Sequence, residues 1–382
     1  MSITLNRPIH EWYVEESIEP WWRIDYPPVA AYLSLAFGHI YQHIEPEAMK
    51  LQFGYESESL TAFMRASVLL IDCLLLLPAI YLVNRKISLS RYRNIGVYFA
   101  SMAVIMLKPD QILIDHGHFQ YNSLMLGLIL LAFYCMLEGR VYFCCFLFTL
   151  AINCKLMSTY YCLAFLTALI GLASKKKTIK KEEHRIQFLL QLTMYGAIVI
   201  GTTVLLWIPW LSSFEDAKNV LSAIFPVHRG LYQLKVPNFW CISDVILKWQ
   251  AWLSKGMLTL LCAAACIVFS LPSMLALMLR PSQKVLIIGF STIAMTFFMF
   301  SYHVHEKSIL LPLLMIPFTS RYIGGKLTKD LTLAGCMGMY HLLSEDGQKL
   351  AYFITVAMFS FLSQSYYNCE EQFIKIYHPH TL

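Results

Sequence analysis

Charge is what this sequence has least of. Asp, Glu, Lys and Arg make up 14% of its 382 residues, while 57% are hydrophobic and the mean hydropathy is +0.54. A soluble domain carries about 25% charged residues. The deficit excludes an ordinary water-exposed surface and points to a polytopic membrane protein. Other absences narrow the chemistry. The eleven cysteines form no Cys-x-x-Cys pair and no metal-finger spacing. Most of them, such as Cys73, Cys135, Cys262 and Cys266, lie inside apolar runs and read as small buried hydrophobes. No glycine-rich nucleotide loop occurs, so a soluble nucleotide sugar is a poor donor candidate. No internal repeat is visible, which weighs against a transporter built from inverted halves; Asp72 and Lys155 are the ionisable groups deepest in apolar runs. Residues 1–28, polar and aromatic, do not read as a cleavable signal peptide.

What the sequence does contain is one dense polar stretch, Ile112-Leu113-Ile114-Asp115-His116-Gly117-His118-Phe119-Gln120-Tyr121-Asn122, between two apolar ones. Polar groups gathered at a bilayer edge are costly unless they face water, a partner or a substrate. Apolar runs elsewhere give about eleven spans, near 66–83, 95–107, 122–137, 141–153, 157–173, 188–208, 252–279, 285–301, 309–319, 331–343 and 350–364. Ahead of them residues 1–65 form a mostly hydrophilic arm, in which Trp12, Tyr13, Trp21, Trp22 and Tyr26 suit a membrane interface. Asp25-Tyr26-Pro27-Pro28 is a rigid turn.

Orientation follows from basic residues in short loops. Alternating spans put the basic loops Arg85–Arg93, Lys175–Arg185, Arg280–Lys284 and Arg321–Lys329 on the cytosolic side. The run at 175–185 therefore reads as a cytosolic loop rather than a nucleic-acid patch. The same alternation sends the 1–65 arm, the Asp115 stretch, the His228-Arg229 loop and the His303–Lys307 loop to the other face, expected to share one rim.

That rim holds Asp25, Tyr26, Asp115, His116, His118, Gln120, Tyr121, His228, Arg229, His303, His305, Glu306 and Lys307. Arg, Lys and His together suit a phosphate, Arg as a planar fork of donors and Lys as a point charge. Carboxylates suit hydroxyl groups, as acceptors or general bases. Aromatic rings suit sugar faces and lipid tails. A lipid-phosphate sugar donor needs all three. Phosphate is already a good leaving group, so cationic stabilisation can replace a general acid. Direct attack by an acceptor hydroxyl inverts the anomeric centre. Metal binding by His116-Gly117-His118 and His303-Val304-His305 is the competing reading, but histidines at i and i+2 do not share a helix face and no zinc spacing is present.

These motifs resemble the dolichyl-phosphate-glucose-dependent glucosyltransferases of the endoplasmic reticulum. The segments that carry the likeness are Trp22-Arg23-Ile24-Asp25-Tyr26-Pro27-Pro28, Gly54-Tyr55-Glu56-Ser57 with Phe63-Met64-Arg65, and the Asp115 stretch. Further on they are Phe225-Pro226-Val227-His228-Arg229-Gly230-Leu231, Asn238-Phe239-Trp240-Cys241 and Val304-His305-Glu306-Lys307-Ser308-Ile309-Leu310. The resemblance implies an all-α, polytopic helical membrane protein of GT-C type. It implies inverting transfer of glucose from dolichyl-phosphate glucose to the dolichyl-diphosphate-linked high-mannose glycan, on the lumenal face of the endoplasmic reticulum membrane. The partners are those two lipid-linked substrates and membrane lipid, with no nucleic acid and no separate cofactor or metal. Gly117 and Gly54-Tyr55-Glu56-Ser57 favour the branch adding the first α-1,3-linked glucose; the branch adding the second is the alternative. By motif, Asp25, His305 and Glu306 are the catalytic candidates. Tyr26, Asp115, His116, His118, Gln120, Tyr121, His228, Arg229 and Lys307 are the substrate- and phosphate-binding ones.

The implied organisation is a lumenal arm over 1–65 and a multi-span domain over 66–382, with lumenal loops near 108–122, 211–250 and 302–308. Members of the resembled family open with a cytosolic tail, a first span and a lumenal Asp-Tyr-Glu motif whose Asp is the expected base. The present sequence opens at Met1-Ser2-Ile3-Thr4, beyond that point. The expectation is an incomplete gene model; the alternatives are an inactive glycolipid-binding relative, or another carboxylate such as Asp25 standing in as base.

Overall fold

The computed structural model describes residues 1–14, 23–52, 54–88, 95–175, 181–225, 236–302 and 304–377. Every regular element among them is helical. Five helices are long and apolar enough to cross a membrane: Glu58–Ile87, Leu156–Ala173, Glu182–Trp210, Lys255–Leu279 and Gln283–Phe300. Asn122–Leu137 and Val141–Ile152 are shorter apolar helices. Only 11% of the apolar window of Glu182–Trp210 is buried against protein. Leu205, Leu260 and Phe361 are among the large apolar side chains left exposed. A surface of that kind matches a lipid environment and would aggregate in water.

The chain divides into two compact units that interleave along the sequence. Unit 1 comprises Met1–Ala79, Tyr121–Ser158 and Thr193–Arg229. Its helix Pro28–Tyr41 opens on a proline, which fits the first turn because the missing N–H has no partner there anyway. The next helix, Glu58–Ile71, is capped by Ser57, whose hydroxyl accepts from Leu60 N at 3.0 Å. It runs into a π-helical turn, Asp72–Leu76, with Asp72 buried at its start. Helix Asn122–Leu137 packs on this turn through Gly127, where a Cβ would lie 2.7 Å from Leu75 Cγ.

One expectation fails in unit 1. Trp12 and Tyr13 do not rest at an interface: each is 1% exposed, in a core with Ile24, Ala31, Trp210 and Val220. Their polar tips are satisfied inside the protein. Trp12 Nε1 donates to Arg7 O at 3.1 Å, and Tyr13 OH donates to Tyr26 O at 2.9 Å. Trp210 Nε1 joins the same knot by donating to Ile9 O at 2.8 Å. Burying large aromatic bodies while their N–H and O–H groups find carbonyls is more favourable than leaving them at a boundary. Trp21 and Trp22 lie outside the described residues.

Unit 2 comprises Ile80–Gln120, Thr159–Leu192 and Gly230–Leu382. Helices Lys255–Leu279 and Gln283–Phe300 form a hairpin, and Cys162–Ala173 packs against it. The apolar run at 309–319 is not one continuous helix. It changes at Pro317 from the helix Leu310–Met315, which holds Pro312 in its first turn, to a 3-10 turn, Ile316–Thr319, and residues 308–320 are all buried. Its apolar side chains pack on protein rather than lipid. The run at 331–343 is likewise split at Met339, between Gly325–Gly338 and Tyr340–Glu345.

Unit 2 also draws basic segments together. Arg321 Nη1 donates to Ile87 O at 2.6 Å, and Lys284 Nζ lies 5.8 Å from the Tyr322 ring centroid. Three of the segments that charge placement assigns to one face are thus joined by direct contacts.

Candidate active site

The Asp115 stretch is not a solvated loop. Ile112–Phe119 is an eight-residue π-helical segment entered through the short turn Pro109–Gln111. Its i→i+5 pattern closes with Gln120 N donating to Asp115 O at 3.2 Å. It ends abruptly: Phe119 takes φ +73°, costly for a bulky residue, and Gln120 is extended. The foot of the segment is anchored by a buried ion pair. Lys108 Nζ lies 3.0 Å from Asp110 Oδ2 and donates to Leu313 O at 2.8 Å, with the two side chains 6% and 1% exposed.

Within this segment the polar residues separate by depth. Asp115 is fully buried, and Gln111 Nε2 donates to its Oδ2 at 2.7 Å. His116 and Gln120 are half-buried. His118 is half-buried as well, and its Nδ1 lies 2.5 Å from Asp346 Oδ2. Asp346 caps the helix Tyr340–Glu345. The Gly347 N–H donates to Ser344 O at 3.3 Å and the Gln348 N–H to Leu343 O at 2.8 Å, with Gly347 at φ +72°. These two bonds and the left-handed glycine make a Schellman turn, a rigid mount for the aspartate.

The second motif of unit 2 enters from the helix Gln283–Phe300. His305 is the extended N-cap of the 3-10 turn Glu306–Ile309, and Ser308 N donates to His305 O at 2.9 Å. Asn238-Phe239-Trp240-Cys241 braces this approach. Asn238 caps its own helix by accepting from Cys241 N at 2.9 Å, and Trp240 Nε1 donates to Phe300 O at 2.8 Å. His305, Glu306 and Lys307 are all half-buried. Burial pulls the Lys307 ammonium below the ordinary lysine range, and the nearby Glu306 and Asp346 carboxylates work against that shift. Asp346 therefore bonds His118 and acts on Lys307 through its charge. An imidazole, an ammonium and two carboxylates are thus coupled, by one contact and by charge, a set that can bind an anionic oxygen and accept a hydroxyl proton.

Unit 1 carries a different group of predicted residues. Asp25 is exposed just ahead of Pro27-Pro28. Tyr26 OH pairs with Ser34 Oγ at 3.2 Å, and Tyr121 OH pairs with Ser67 Oγ. Burial, foremost, raises both phenols above the usual tyrosine range; Asp25 adds to the effect at Tyr26, and Tyr26 adds to it at Tyr121. Both phenols remain neutral hydrogen-bonding groups. Tyr121 also leans on Phe37, ring centroids 6.2 Å apart. His228, Arg229 and His303 lie outside the described residues.

Comparison with known proteins gives this arrangement a context. The model of the ALG6, ALG8 glycosyltransferase family matches residues 1–380. The chain belongs to the ALG6, ALG8 glycosyltransferase family. It is 36% identical over 314 residues to a Drosophila melanogaster protein named as a probable dolichyl pyrophosphate Man9GlcNAc2 alpha-1,3-glucosyltransferase, covering 81% of this chain and 64% of that one. A Dictyostelium discoideum protein of the same name is 35% identical over 373 residues, covering 96% of this chain and 71% of that one. A Mus musculus dolichyl pyrophosphate Man9GlcNAc2 alpha-1,3-glucosyltransferase is 35% identical over 375 residues, 94% and 69% of the two chains. The present chain thus spans about two thirds of the length of these curated relatives.

For an ALG6, ALG8 family member, the partner of a predicted site residue that sequence reasoning missed is Asp346, which bonds His118. Its signal was a turn pair, Asp346-Gly347, between two apolar runs. Another family motif proves to be architectural. Tyr55 and Ser57 of Gly54-Tyr55-Glu56-Ser57 donate to Glu45 at 2.5 and 2.7 Å, and Tyr41 donates to it at 2.5 Å. Among the described residues no group of three His, Cys, Asp or Glu side chains is placed to hold a metal.

Proposed function

We propose that this chain transfers glucose from dolichyl-phosphate glucose, in α-1,3 linkage, to the high-mannose glycan carried on dolichyl diphosphate, adding the first glucose. The observation that carries this reading is the unit 2 cluster of His118, Lys307, Glu306 and Asp346, set in a chain matched to a glycosyltransferase family over residues 1–380. Lys307, His118 and, by motif, His228 and Arg229 offset the charge of the donor phosphate, so dolichyl phosphate leaves without a general acid. Glu306 or Asp25 takes the proton of the attacking acceptor hydroxyl. The hydroxyl oxygen bonds to the anomeric carbon as the bond from that carbon to the phosphate oxygen breaks, and a single displacement inverts the centre. His116, His305, Asp115, Gln120, Tyr26 and Tyr121 supply the remaining contacts and the packing that holds them.

The same reading makes residues 1–65 a lumenal arm and 66–382 a GT-C-type membrane domain of about eleven spans. The site then opens to the lumen of the endoplasmic reticulum. The contacts among three basic segments of unit 2 support this sidedness, because basic loops remain cytosolic.

Complementation of a cell that accumulates unglucosylated lipid-linked Man9GlcNAc2 tests the proposal. Expression of the chain restores glucosylation, whereas Glu306→Gln and Arg229→Ala insert normally and restore none. Full glucosylation by both variants overturns the reading, as do reporter tags that map His118 and Glu306 to opposite compartments.

A further inference from the structure

We propose that Asp346 is a positioning residue for this site and acts through His118. The inference rests on the glucosyltransferase reading above and goes beyond the family motifs, none of which contains Asp346. Three observations carry it. Asp346 Oδ2 lies 2.5 Å from His118 Nδ1. The aspartate is held by a Schellman turn whose glycine takes φ +72°, and the residue it caps from, Leu343, is fully buried. The histidine is held by a π-helical segment that ends in a left-handed phenylalanine. Two rigid backbone features therefore meet at one side-chain contact.

An imidazole has two ring nitrogens, and the partner of one decides what the other can do. With Nδ1 tied to Asp346, Nε2 is the nitrogen left to meet a substrate oxygen, and the ring no longer turns about its side-chain torsions. The remaining charged groups around this contact define the ligand class. Lys307 and Glu306 enter from the 3-10 turn, Asp115 and His116 lie on the same π-helical segment, and His341 and Glu345 pair at 3.3 Å on the helix that Asp346 caps. An oriented imidazole, with an ammonium in electrostatic reach of the same aspartate, suits an anionic oxygen of the lipid-linked substrate. Asp346 touches no reacting atom; it sets the ring that does.

The test uses the full chain in membranes lacking endogenous first glucosylation, with dolichyl-phosphate glucose as donor, and compares kcat/KM for His118→Ala, Asp346→Ala, Asp346→Asn and the double alanine variant at matched membrane abundance. Asp346→Ala is expected to lose about 10²-fold, the scale of a misplaced contact group. Asp346→Asn, whose amide oxygen still accepts from Nδ1–H, is expected to recover most of that loss. The double variant is expected to be no worse than His118→Ala alone, because the two residues act as one unit. Wild-type rates in Asp346→Ala, equal losses in the Ala and Asn variants, or losses that add in the double variant each overturn the inference while leaving the reaction assignment intact. Wild-type rates in His118→Ala remove His118 from the site, and the inference falls with it.

Discussion

Two carboxylates in this chain hold polar neighbours in place, and they do so in opposite ways. Glu45, in unit 1, accepts from three neutral hydroxyls, Tyr41, Tyr55 and Ser57, at 2.5, 2.5 and 2.7 Å. Those donors are all committed to one acceptor, and the knot fastens the helix Pro28–Tyr41 to the start of Glu58–Ile71. Asp346, in unit 2, faces an imidazole at 2.5 Å and acts on the Lys307 ammonium through its charge. Here donors of mixed charge keep bonding capacity that one carboxylate does not exhaust. The difference separates architecture from chemistry. Tyr55 and Ser57 belong to a motif that marks the family and serve the fold, while Asp346 belongs to none and holds His118, a predicted site residue.

The largest effect expected from breaking this contrast is at Glu306. Glu306→Gln should lower glucose transfer by about 10²- to 10⁴-fold, the range for loss of a positioned acid or base, with melting in detergent unchanged. Glu45→Gln should do the reverse, lowering the melting temperature while turnover per folded molecule holds. Equal behaviour of the two variants in both assays would erase the distinction. The buried pair below the π-helical segment comes next. Lys108→Met leaves Asp110 as an uncompensated charge that is 1% exposed, and breaking such a pair costs about 3–5 kcal/mol. Thermal unfolding of the purified chain measures it, and a Lys108→Met/Asp110→Leu double variant should regain much of the loss.

A packing variant gives a smaller effect and checks unit 2 away from any charge. A Cβ on Gly171 would lie 2.2 Å from Leu277 O and 2.8 Å from Met278 O, both backbone atoms that cannot swing aside. Gly171→Ala should cost about 1–3 kcal/mol as the helices separate. Gly196→Ala, at a position with no atom within 4 Å of a Cβ, is its control and should be neutral or slightly stabilising.

How far the sequence could be read follows from the same physics. The helices Asn122–Leu137 and Val141–Ile152 lie where continuous apolar runs put them, since an uninterrupted run leaves few alternatives. The run at 309–319 looks alike by hydropathy, yet Pro317 breaks it and protein encloses it, because hydropathy does not distinguish lipid from core. Trp12 and Tyr13 suit an interface by type, but carbonyls of Arg7 and Tyr26 are in reach and a core claims them. The π-helical turn was illegible: nothing in Asp115-His116-Gly117-His118 states whether its backbone bonds run i→i+4 or i→i+5, and that choice decides which histidine meets Asp346. A contact 228 residues apart in sequence has no local signal at all.

The gentlest way to sharpen the comparison is pH, because one centre is a carboxylate and the other an ammonium, each shifted below its ordinary range. Hydrogen bonds from Tyr41, Tyr55 and Ser57 hold the Glu45 carboxyl below its ordinary range. Its stabilising contribution is therefore complete above the unfolded value of about 4.3 and is lost only as pH falls through the depressed folded value. Burial lowers the Lys307 ammonium's folded value below the unfolded value of about 10.4. Between the two values the unfolded chain binds more protons, so this group makes stability rise with pH. The cation that the donor phosphate needs is lost over the same window. Stability and transfer should thus diverge as pH rises, and Lys307→Arg, which keeps its charge, should extend the alkaline limb of the transfer profile. An unmoved limb in the arginine variant would mean that Lys307 does not meet the phosphate as an ammonium. Transfer and melting, measured on the same membranes from neutral to alkaline pH, decide it.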